Sequence, residues 1–108
     1  MADVVKRLSL RGVLELVIAN GNTSPSTITK ARTLMALEWD LNEWFLHVAK
    51  RTLDDSQLLH VLEQSERALF SVEEAWAKAQ STGSFTELEL AIDAAIVTTR
   101  ECRNVGAI

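Results

Sequence analysis

The sequence predicts an all-α fold, an antiparallel four-helix bundle with short loops in one domain spanning residues 1–108, and three observations predict it. Apolar residues recur at alternating spacings of three and four over long stretches. The turn-forming residues, with only Gly 4 and Pro 1 in the chain, gather at a few places that cut it into four segments. Beyond the first segment, nothing alternates apolar and polar residues as a half-buried strand does.

The first segment, residues 3–19, admits two readings. Leu8, Leu10, Leu14, Leu16 and Ile18 alternate as in a strand, whereas Leu10, Leu14 and Val17 fit a helical face. A lone strand would leave its backbone groups unpaired, so a helix of about four turns is expected despite Gly12, which suits a close helix crossing. Asn20-Gly21-Asn22 can end that helix through a left-handed residue. Ser24 then offers an N-cap and Pro25 a first helical residue whose missing N–H costs nothing. From Pro25 to about Thr52 there is no further Gly or Pro, and Leu34, Leu37, Leu41, Trp44 and Val48 mark a seam.

Asp54-Asp55-Ser56-Gln57 reads as a capping box opening the third helix. Its seam is Leu58, Leu62, Leu69, Val72, Trp76 and Ala79, interrupted only by Ser65, and Gly83 ends it. Ser84-Phe85-Thr86-Glu87 reads as a second capping box, followed by Phe85, Leu88, Ile92, Ala95, Thr99 and Cys102 on one face. Short connections imply antiparallel neighbours, with helices two and three as a long central hairpin folding at Leu53–Asp54. That hairpin sets Asp40 against Arg67 and Trp76 against Ala31. The turn at Gly83 sets Glu66 against Arg100 and Glu63 against Arg103.

At 47% hydrophobic and a net charge of -4, the chain is too apolar for a disordered segment. Its single cysteine forbids an internal disulfide or a multi-thiolate metal site and fits a reducing compartment. The stretch 13–19 is interrupted by Glu15 and far shorter than the roughly 20 residues of a membrane span. The start, Met-Ala-Asp-Val-Val-Lys-Arg, does not read as a secretory signal, so a cytoplasmic location without membrane contact is expected. Residues 1–52 hold seven basic and five acidic side chains, and residues 53–108 hold four and ten. Lys30 and Arg32 are followed at once by Glu38, Asp40 and Glu43, which would repel phosphate, so no nucleic-acid partner is expected.

Chemistry-bearing residues are few. Glu63-x-x-Glu66 on one helix, with Glu89 and Asp93 on the next, resembles the carboxylate set of all-α nucleoside-triphosphate pyrophosphohydrolases. The resemblance implies Mg²⁺ held by oxygen ligands and nucleotide hydrolysis, although that family spaces its second pair Glu-x-x-Asp. His47 and His60 should stand level across the central hairpin near Glu43 and Glu63. His60, however, shares the polar row of Gln64, Arg67, Ser71, Glu74 and Lys78, so neither a metal nor another cofactor is expected. Cys102 lies on the core face of the last helix, and no Gly-rich phosphate loop is present.

The function expected is therefore a non-enzymatic helical module for protein–protein interaction, acting as a homodimer or with a protein partner. Helix one is apolar over more positions than one buried face requires, and Trp39 is out of phase with Leu37 and Leu41. The expected interface residues are Leu10, Val13, Leu16 and Trp39. The alternatives are a small Mg²⁺-dependent nucleotide hydrolase built on the four acids, or a bundle holding a small apolar ligand beside Trp44 or Trp76.

Overall fold

A computed structural model describes residues 10–105 and is all-α, with no strand among them. Helix α1 spans Leu10–Ala19. Helix α2 spans Pro25–Trp44 and continues through a π-helical turn, Phe45–Ala49, into a last turn at Lys50–Thr52. Helices α3 and α4 span Asp55–Thr82 and Thr86–Arg103. The part of the expected first helix at residues 3–9 lies outside the described residues.

Local chemistry sets these boundaries. Ser24 Oγ accepts from the Thr27 N–H at 3.2 Å, ahead of Pro25 at the first helical position. Asp54 Oδ1 accepts from the Gln57 N–H at 2.8 Å, and Gln57 Oε1 accepts from the Asp54 N–H at 3.1 Å, completing the predicted capping box. Gly83 ends α3 at φ 78°, where a Cβ would be strained.

Two expected caps do not form. Gly21 is not left-handed. Instead α1 closes with the Asn20 N–H donating to the Leu16 carbonyl at 3.1 Å, and Asn20 Oδ1 accepts from the Asn22 N–H at 2.8 Å. At the start of α4 the capping residue is Phe85, without a side-chain hydrogen bond. The Ser84 N–H donates back to Thr82 Oγ1 at 3.2 Å, and Glu87 reaches across the turn to Lys78 at 3.2 Å. The left-handed turn at Gly83 thus consumes Ser84 in the connection.

The neighbour relations also depart from the expected hairpin. Helix α4 packs against both α2 and α3, as does α1, while the α2 and α3 backbones hardly meet. Thr27 with Glu89, Lys30 with Asp93 and Asp40 with Arg103 keep a separation of 62–63 residues, so α2 and α4 run parallel. Asp40 therefore pairs with Arg103 at 3.1 Å, not with Arg67, which lies beside Ala91 and Ala95 of α4. Arg103 is likewise unavailable to Glu63. The α3–α4 turn at Gly83 does give an antiparallel pair, with Lys78 opposite Glu87, Trp76 near Phe85 and Cys102 beside the Val61 carbonyl. The physical reason is the breadth of α4's apolar surface. Leu88, Ile92, Ala95, Ile96, Thr99 and Cys102 are all buried, enough to face two helices. The backbone spans 43 × 39 × 17 Å, a slab two helices deep.

One core gathers Leu14, Val17, Leu34, Val72, Leu88 and Ile92, together with Ala31 and Trp76. A second, near the α2–α3 turn, gathers Leu41, Trp44, Ala49, Val61 and Cys102. In α2 the predicted seam ends early. The π turn holds one residue more than an α turn, so Ala49 enters the core and Val48 is left 45% exposed. In α3 the buried row runs through Val61, Ala68, Val72, Ala75 and Ala79, and Leu62 is half exposed. The small residues of that row let α4 approach closely.

Candidate functional site

The four acids of the hydrolase reading fall on different faces. Glu89 and Asp93 turn toward α2, where Lys30 Nζ meets them at 2.7 and 3.1 Å. Thr27 Oγ1 donates to Glu89 at 2.7 Å and Ser26 Oγ at 3.4 Å. The Lys30 ammonium, followed by the Thr27 hydroxyl, holds the Glu89 carboxyl below its ordinary value, while Glu89 and then Asp93 raise Lys30 above its own. Glu63 and Glu66 instead flank a shallow depression with Arg67 and Phe70 on the outside of α3. Among the described residues no three His, Cys, Asp or Glu side chains are grouped to hold a metal ion. His47 approaches only Glu43, at 3.8 Å on an exposed turn. Burial pushes the Cys102 thiol up, and its Sγ lies 3.9 Å from the Val61 carbonyl.

The Lys30 cluster has a consequence for stability. A carboxyl whose folded pKa is depressed contributes stability above its unfolded value of 4.5, and that contribution is lost as pH falls through the folded value. Thermal unfolding should therefore show a decline on the acid side of pH 4.5 that is shallower in Glu89→Gln. An equal acid slope in the two proteins would show that the cluster does not couple α2 to α4.

The four residues expected at an interface divide into two pairs. Leu10 and Val13 are buried in the chain's own core, because the face of α1 formed with Leu14 and Val17 points at α2 and α3. Within one copy Val13 is thus covered, and Leu10, 8% exposed, keeps only a small open area at the end of α1. Leu16 and Trp39 are 45% and 58% exposed. The Arg11 guanidinium lies over the Trp39 ring at 6.0 Å from its centroid, covering one indole face and leaving the side chain otherwise open.

Beside Trp39 lies a feature that sequence reasoning missed. An open groove of about 240 Å³ forms where α1, α2, α3 and α4 come together. Buried Leu10, Leu41, Ala68 and Thr99 make its floor. Leu62 and Leu69 form an apolar wall, with Glu38, Asn42, Ser65 and Glu66 at the rim. The sequence carried no signal for it, since Leu62 fits the predicted seam and only the burial of Val61 in its place leaves Leu62 half exposed. The groove is smaller than the roughly 300–1,000 Å³ clefts that enclose small molecules. Trp44 and Trp76, beside which the alternative apolar-ligand reading needs its cavity, are buried. Compared with known proteins, the chain matches no family model, no curated protein and no solved structure.

Proposed function

We propose that the chain is a non-enzymatic helical interaction module that pairs with a second copy of itself. The observation that carries this reading is exposed Trp39 directly following Glu38 at the rim of an open apolar groove, while the four acids of the hydrolase reading do not converge, Glu89 and Asp93 being paired with Lys30. Each large side chain removed from water contributes about 1.5–3 kcal/mol, so a surface combining Trp39, Leu62 and the groove floor favours association. Closed two-fold pairs are the commonest soluble oligomers, and they need no second gene product. Glu38 and Glu66 at the rim oppose phosphate, which favours protein over nucleic acid as the occupant. Among the described residues no helix is long and apolar enough to cross a membrane.

Light scattering behind size exclusion at micromolar concentration tests the reading. The expected mass is twice the 12.0 kDa of the chain. A single species of 12.0 kDa across the accessible concentration range contradicts self-pairing.

A further inference from the structure

The geometry points to a reciprocal contact, in which Trp39 of each copy seats in the groove of the other and Arg11 of each meets Glu66 of the other. This rests on the self-pairing proposed above and adds which residues make it. Protrusion and groove are neighbours in the chain. Trp39 directly follows Glu38 of the rim, and Arg11 directly follows Leu10 of the floor. A copy cannot fill its own groove with Trp39, because adjacent helical residues point about 100° apart and Arg11 lies over the indole. A two-fold axis between protrusion and groove uses both features twice, which is the self-complementarity that an isologous interface requires.

The chemistry agrees at three points. The groove is of a size for one aromatic side chain, and its wall and floor are apolar apart from Thr99, whose hydroxyl already donates to the Ala95 carbonyl. Its rim supplies oxygen acceptors from Glu38, Asn42 and Ser65 for the indole N–H, which ordinarily finds a partner when buried. The charges are complementary as well. Among the described residues Arg11 meets no carboxylate within 4.0 Å, and Glu66 meets no cation within that distance. Two Arg11–Glu66 pairs across the axis neutralise both.

The test uses the full chain and variants whose folding is checked by circular dichroism, with dissociation constants from a light-scattering dilution series. Trp39→Ala and Leu62→Glu should each weaken pairing by about 30-fold or more, as central interface residues do. Arg11→Glu and Glu66→Arg should each weaken it by about tenfold, and the double variant carrying both should recover most of that loss. A wild-type dimer indifferent to Trp39→Ala and Leu62→Glu overturns the reciprocal contact while leaving self-pairing intact. A double variant no tighter than either single overturns the Arg11–Glu66 assignment. If Leu62→Glu lowers the melting temperature without changing the mass, Leu62 is covered within one copy, which also overturns the contact. A wild-type monomer overturns the self-pairing reading itself.

Discussion

Replacing Ile92 with alanine is expected to destabilise the protein by about 2–5 kcal/mol, enough to lower Tm by roughly 10 °C or more. Ile92 is fully buried in α4, the helix that packs against both α2 and α3. Truncation there opens a cavity facing two neighbours, and the shared core of Leu34, Val72 and Leu88 would have to move on both sides to fill it. Helix α2 is also tied to α4 by the Lys30 and Asp40 pairs, which resist such a shift. Leu90, two residues away on the same helix, is 62% exposed, and its replacement by alanine should change stability by no more than about 0.5 kcal/mol. Urea unfolding of the two variants gives the comparison. Equal losses would mean that α4 is not the central element of the fold.

The second large effect separates two adjacent residues of α2. Ala49→Glu should cost upwards of about 3 kcal/mol, because Ala49 is fully buried among Leu41, Trp44, Val61 and Cys102, where a carboxylate is both too large and taken out of water. Val48→Glu, on the exposed side, should lie within about 0.5 kcal/mol of the parent. An uninterrupted α-helix continuing the seam from Leu41 and Trp44 demands the reverse order, since position 48 would then face inward. Chemical unfolding of these two variants therefore reports whether the π turn at Phe45–Ala49 exists in solution.

The helix ends were legible because caps are local chemistry. Ser24 before Pro25, Asp54 with Gln57, and Gly83 each meet their partners within four residues. Ser84 failed for a reason equally local, since the turn at Gly83 already engages its N–H. The neighbours were legible at the Gly83 turn and not at Leu53. A short connection brings two helices together only at its own end. Leu53, extended between α2 and α3, lets α3 leave at an angle, so that α4 rather than α3 takes the long side of α2. Asp40 then finds Arg103, a partner chosen by packing that no spacing rule specified. The π turn was hidden for a different reason: an inserted residue changes the phase of a helix without changing its composition. Of the candidate site, Trp39 could be found in the sequence because its phase conflicts with Leu37 and Leu41. The groove could not, because four helices contribute to it and Leu62 looks like one more seam residue until Val61 is known to be buried.

Isotope-filtered NMR on a mixed dimer reads directly whether the exposed indole of one copy meets the groove of another. One copy carries ¹³C-labelled leucine methyls and the other is unlabelled. Nuclear Overhauser effects restricted to pairs of different copies are expected between the Trp39 indole protons and the methyls of Leu62 and Leu69. Their absence in a solution that light scattering shows to be dimeric, or intermolecular effects confined to residues away from Trp39 and the groove, would contradict the account.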